Sequence, residues 1–150
     1  MRRFGPFIVF VAILCTGCAP KEDSDQLVST RPVTLPDGAV IQAEVKVTGE
    51  EMARGMMFRD SLASDKGMLF IHSAPGTNAY WMHNCHIALD IIWMNPAHRV
   101  VEISANTPPC QAQPRDCPSY GGHFPAQYVL ELGSGEARKH SVDVGKTLSF

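Results

Sequence analysis

GMLFIHSAPGTNAYWMHNCHIALDIIWMN, residues 67–95, holds three apolar runs, at 67–71, 79–82 and 87–94, with Pro75, Gly76 and Asn84 among the residues that break them. Each run is shorter than the roughly 10 residues of a typical helix and is rich in β-branched and aromatic side chains. Runs of that kind predict core strands. The only charge inside the third run is Asp90. A carboxylate among apolar strand residues must be paired or exposed, because burying it alone costs several kcal/mol.

Working outward, 33–35 and the alternating segment 40–47 flank a Pro36-Asp37-Gly38 turn. They predict a hairpin with Ile41, Ala43, Val45 and Val47 on one face. Thr48 and Glu51 stand at capping-box spacing and open a short helix over 50–57, on which Met52 and Met56 share a face. Downstream, Pro96-Ala97-His98 turns the chain into a strand at 99–104. A long Pro-rich loop with two cysteines fills 106–125, and strands follow at 127–132 and 147–150 with one helical turn at 136–140 between them. Many short strands with turn signals between them predict an α+β class, mainly β: a small curled sheet or barrel-like domain over 31–150 with one or two short helices. A chain of this size buries a substantial core without metal or extra crosslinks.

The N-terminus reads differently. Arg2 and Arg3 precede an apolar run over 4–14, too short for the roughly 20 residues of a membrane span but right for an export signal. Leu14-Cys15-Thr16-Gly17-Cys18 resembles the bacterial lipobox, with Cys15 where an aliphatic residue is usual. The expectation is a signal peptide at 1–17, lipidation of Cys18, and a solvated tether over 18–30 carrying Lys21, Glu22, Asp23 and Asp25. The alternative is an ordinary cleaved signal and a free periplasmic protein. A lipid-anchored chain would face the periplasm from the cell envelope, and Ala19 after the lipidated cysteine favours the outer membrane over the inner. Without Arg2 and Arg3 the chain has 11 basic and 15 acidic residues, a formal charge of −4, and no basic run longer than Arg138-Lys139. That balance argues against nucleic acid as a partner.

Several pieces of the chain, in order, resemble domain-of-unknown-function family 192: Arg54-Gly55-Met56-Met57-Phe58-Arg59, Gly67-Met68-Leu69-Phe70, Tyr80-Trp81-Met82-His83-Asn84, Leu89-Asp90-Ile91, Val101-Glu102-Ile103 and Tyr128-Val129-Leu130-Glu131. With the preceding hairpin the resemblance covers about 40–150. It implies a small β-rich, barrel-like domain often placed behind a signal or anchor, and no mechanism. Members usually carry Lys at His83 and Thr at Cys85, so neither residue inherits a family role.

Cys110 and Cys117 share one irregular loop, and in an exported chain they predict a local disulfide. Cys85 is then the odd cysteine, a small buried hydrophobe in the plainest reading. In a sharper reading, Met82, His83, Cys85 and His86 are soft sulfur and imidazole ligands suited to copper or zinc. Strand alternation would put His83 and Cys85 on one side and Met82 and His86 on the other, so further ligands such as His72, Met94 or His123 would have to converge. Methionines inside apolar runs otherwise read as core fillers.

The polar residues Arg54, Arg59, Asn84, Asp90, Glu102 and Glu131 have two readings. One is a buried ion-pair network that fixes strand register. The other is a ligand site formed by Arg54, Arg59, Trp81, Asn84, Asp90 and Glu131, in which Arg59 holds an anionic group, Asp90 or Glu131 orients it, and Trp81 offers a stacking face. No Gly-x-Ser-x-Gly, His-Glu-x-x-His or phosphate-cradling glycine loop occurs. The leading expectation is therefore an envelope-anchored domain that binds a small ligand, an envelope polymer or an envelope protein without covalent chemistry. The alternatives are a copper or zinc handling lipoprotein and a hydrolase of envelope material built on paired carboxylates such as Asp90 and Glu131.

Overall fold

The computed structural model describes Met1 and residues 29–150, so the signal segment, Cys18 and most of the tether lie outside the described residues. The chain forms a mixed six-stranded sheet: β1 (Thr30–Thr34), β2 (Val40–Lys46), β3 (Lys66–Gly76), β5 (Leu89–Met94), β6 (Val100–Thr107) and β8 (Ala126–Gly133), in the order β1-β2-β3-β8-β5-β6. A separate two-stranded sheet pairs β4 (Tyr80–Trp81) with β7 (Ser119–Tyr120). The helices are α1 (Gly49–Arg54) and α2 (Glu136–Lys139), with a 3-10 turn at Pro114–Asp116. The class is α+β, mainly β, and the sheet does not close into a barrel.

Among the described strand pairs of the main sheet, only β2–β3 is parallel. Parallel neighbours need a crossover connection, and α1 with the segment after it provides one. The capping box forms as its spacing predicts. Thr48 Oγ1 accepts from Glu51 N–H, and Glu51 Oε2 accepts from Thr48 N–H at 3.0 Å. The helix stops at Gly55, whose φ of +41° breaks it, so Met56 leaves the helix that the sequence assigns it to. Thr30, read from sequence as the end of the tether, already pairs with Glu44 in β1.

Period-two alternation splits the core between the two faces of the sheet. One face carries Leu69, Ile92, Met94, Leu130 and Leu132 and packs on Val33, Leu35, Val142 and Leu148. The other carries Met68, Phe70, Ile91, Trp93 and Val129 and packs on Met56, Met82, Cys85 and Ala126. We call these the aliphatic and the methionine face. All six residues of β5 are buried because both its faces are covered. Each fully buried aliphatic or aromatic side chain contributes about 1.5 to 3 kcal/mol relative to exposure.

Two expected core strands come out differently. The run 79–82 contributes only Tyr80 and Trp81 to the small sheet rather than a strand of the main one, because the chain turns immediately afterwards at Met82 to Cys85. The closing strand at 147–150 is reduced to single bridges, Thr147 to Arg99 and Ser149 to Thr34. Through these bridges the C-terminal segment reaches both β1 and the turn between β5 and β6. The Cys110–Cys117 disulfide is present in the long loop. In the chain-entropy account a loop this short gains about 2 to 3 kcal/mol.

Candidate functional site

The methionine face carries a row of residues at one level of the sheet. Strand register sets Glu44 beside Met68, Met68 beside Glu131, and Glu131 beside Ile91. Arg59 arrives from the crossover and grips Glu44 with both ends of its guanidinium, Nη1 to Oε1 at 2.6 Å and Nη2 to Oε2 at 2.7 Å. Lys46 stands 3.3 Å from the same carboxylate. The Arg59 hydrogen bonds hold the Glu44 carboxyl below its ordinary range, and Glu44 in turn raises Arg59.

Glu131 is the exception in this row. Its side chain is buried, and Oε2 has no hydrogen-bond partner among the described residues. Burial pushes its pKa up to about 8, opposed by the charge of Arg59, so the carboxyl is largely protonated at neutral pH. When ionised, Glu131 also acts on Tyr80 and Cys85, where burial is the larger cause of the upward shift and takes the Cys85 thiol to about 11. A thiol held that high is a poor nucleophile.

Above this row, two hydrogen-bonded segments present an aromatic surface. Phe58 N–H donates to Asn84 O at 2.8 Å, and both residues hold left-handed backbone, with φ of +64° and +55°. Asn84 N–H donates to Cys110 O, and Cys85 N–H to Met82 O, which closes the turn. The turn sends Met82 and Cys85 together into the core and leaves His83 and His86 outside, overturning the strand alternation read from sequence. His83 lies against Trp81 with ring centroids 5.1 Å apart, and His86 pairs with Asp60 at 2.6 Å. Phe58 is 59% exposed and Trp81 41%. Phe58 meets the His86 ring edge-on.

Of the residues proposed from sequence, the structure brings Arg59 close enough to Glu131 for its charge to act on it, ties Asn84 to Phe58 by a backbone hydrogen bond, and leaves Trp81 exposed. Arg54 lies exposed on the last turn of α1. Asp90 lies on the opposite face of the sheet from Glu131, since it is paired with Leu132 while Glu131 is paired with Ile91. Its carboxylate accepts from Asn106 N–H at 2.8 Å and from Ala137 N–H at 2.9 Å, so it caps α2 and pins β6 rather than meeting Arg59. Asp90 and Glu131 consequently cannot flank one substrate as paired carboxylates. Glu102 accepts from His123. The four residues proposed as metal ligands are divided between core and surface, and among the described residues no three His, Cys, Asp or Glu side chains form a metal-binding group.

Sequence reading missed Glu44. Alternation in β2 already sets it opposite Ile41 and Ala43, but its neighbours depend on the parallel pairing with β3.

Comparison with known proteins agrees with the fold. The family model DUF192, described as "Uncharacterized ACR", matches residues 33–150. A crystal structure of a protein of unknown function from Novosphingobium aromaticivorans is 32% identical, with a TM-score of 0.74, over 82% of this chain and 86% of that one. A second, from Sinorhizobium meliloti, is named there as a candidate transcription regulator and is 26% identical, with a TM-score of 0.72, over 81% of this chain and 94% of that one. No curated protein matches the chain.

Proposed function

The chain belongs to domain-of-unknown-function family 192, and on that premise we propose that it is a lipid-anchored envelope protein that binds a sugar ring of an envelope polymer at the Phe58–Trp81 surface, without covalent chemistry. The observation that carries this reading is the backbone of Phe58. A bulky side chain at positive φ is an outlier that costs of order 1 to 3 kcal/mol. That cost places an aromatic ring in solvent, and Trp81, three residues before the Asn84 whose carbonyl accepts from Phe58 N–H, is exposed as well. Core packing cannot be its purpose.

The surroundings suit a neutral, hydroxylated ligand. Aromatic faces pack against the apolar C–H face of a sugar, and Asn84, His83 and the Asp60–His86 pair supply hydrogen-bonding groups at the margin. Arg59, the nearest cation in sequence to Phe58, is already engaged by Glu44, and the processed chain is acidic, which disfavours polyanions including nucleic acid. The anchor rests on the lipobox-like residues that end in Cys18.

Two experiments test the reading separately. In fractionated cells the wild-type chain should sediment with outer membranes, and Cys18→Ala should lose its lipid and that association. An unlipidated wild-type chain would end the anchor assignment. For binding, the protein is co-sedimented with purified cell-wall sacculi. Trp81→Ala and Phe58→Ala should each weaken retention at least tenfold while melting cooperatively. Retention equal to wild type in both variants would refute the aromatic surface as the site.

A further inference from the structure

A sulfur-rich layer lies beneath the aromatic turn. Met56, Met68, Met82 and Cys85 are buried in one cluster, contributed by the crossover, by β3 and by the turn after β4, and Met52 packs at its margin. Thioethers alone would be ordinary core fillers. The carboxylate among them is not ordinary. Glu131 belongs to the same face, with Met68 as its cross-strand neighbour, and its Oε2 is buried with no partner among the described residues. Thioethers donate no hydrogen bond, and the cation nearby, Arg59, is spoken for by both oxygens of Glu44. The layer thus combines soft sulfur with one buried carboxyl group whose Oε2 has no hydrogen-bond partner among the described residues.

The chemistry that completes such a layer is a soft monovalent cation. Zinc and harder divalent ions need several imidazole, thiolate or carboxylate ligands, and among the described residues no such group of three exists. Copper(I) is bound by thioether and thiol sulfur, and its single charge is balanced by a single carboxylate. We propose that this layer is a copper(I) site, with Met56, Met68, Met82 and Cys85 as sulfur ligands and Glu131 as the counter-charge. Loading involves no redox change. The ion enters as copper(I), the Glu131 carboxyl releases its proton to solvent, and the net charge of the layer is unchanged. Leu62 and Ile87, which line a cleft of about 240 Å³ together with Ser64 and Glu136, pack against the same core cluster. This site is independent of sugar binding at the surface above it.

The test is titration of the full chain in detergent with copper(I) without oxygen, against bicinchoninate as a coloured competitor. Ascorbate serves as the reductant. The expected result is one copper(I) per chain, with a sulfur-dominated shell by copper X-ray absorption. Met68→Leu and Met82→Leu keep the core volume, so both should fold, and each should weaken binding at least tenfold. Glu131→Gln should weaken it similarly and remove the proton released on loading. No copper held against the competitor would overturn the proposal. So would undiminished affinity in the folded Met68→Leu and Met82→Leu variants, or an absorption spectrum dominated by imidazole nitrogen.

Discussion

Replacing Asp90 by asparagine exchanges one carboxylate oxygen for an amide NH₂ and changes little else in shape. In the wild type, Oδ1 receives Asn106 N–H at 2.8 Å and Oδ2 receives Ala137 N–H at 2.9 Å. Both donors belong to places where the backbone has no local alternative. Asn106 sits at φ +51° where the β5–β6 register shifts, and α2 starts from Gly135, whose hydrogen-only side chain offers no cap. The introduced amide can accept only one of these bonds, and its NH₂ must face the other donor. A hydrogen bond to a charged group is worth about 1.5 to 3 kcal/mol, and a buried donor left unmet costs about 1 to 3 more. The expected loss is about 2.5 to 6 kcal/mol for Asp90→Asn, and more for Asp90→Ala, which loses both bonds. Against a total stability of roughly 5 to 15 kcal/mol, the Ala variant should be marginal. Urea unfolding at constant m-value measures the loss, and hydrogen exchange at the amides of Asn106 and Ala137 locates it. A change in stability below about 0.5 kcal/mol, with both amides as protected as before, would refute the capping role.

Gly121→Ala would drive a Cβ into the indole ring of Trp93 at a φ of +66°, and should cost about 2 to 5 kcal/mol by overpacking and backbone strain. Gly38→Ala, at φ +88° with nothing within 4 Å, should cost only about 1 to 2 kcal/mol, and equal melting shifts for the two would contradict the packing of Trp93 on the loop. Glu131 makes stability depend on pH with a definite sign. Between its ordinary value of 4.5 and about 8 the unfolded chain has released the proton that the folded chain keeps, so stability falls as pH rises, by at most about 1.4 kcal/mol per pH unit, and levels off above 8. Urea midpoints across that range and just beyond it should show this slope in the wild type and lose it in Glu131→Gln. The same slope in both proteins would exclude Glu131 as its source.

The strands of the main sheet were legible because their signal is local: 67–71, 87–94 and 127–132 are apolar runs that stay within a few residues of β3, β5 and β8. The capping box was legible for the same reason, as donor and acceptor lie three residues apart. What the sequence hides is which residues face each other across the sheet. Asp90 and Glu131 both read as charges inside apolar strands, and only the pairing of β5 with β8 shows them on opposite faces. Alternation failed over 82–86 because Asn84 adopts left-handed backbone within a turn closed by Cys85 N–H to Met82 O and held by hydrogen bonds to Phe58 and Cys110, partners far away in sequence. The same turn explains the mixed fate of the proposed metal ligands, since it gathers Met82 and Cys85 inward and turns both histidines out. Met56 and Met68 belong to that inner set through tertiary packing alone.

The two single bridges made by the C-terminal segment carry a kinetic consequence. Ser149 ties to Thr34, more than a hundred residues earlier, and the carbonyl of His98 receives Leu148 N–H. Contacts of such long sequence separation slow folding, because the entropy of closing the loop is lost before any contact repays it. The edges of the sheet at Thr34 and Arg99 can therefore be tied down only once residues 147–149 are free to move into place. Until residues 147–149 reach them, a nascent chain presents these edges open, and any holding factor that acts on it has its opportunity in that interval.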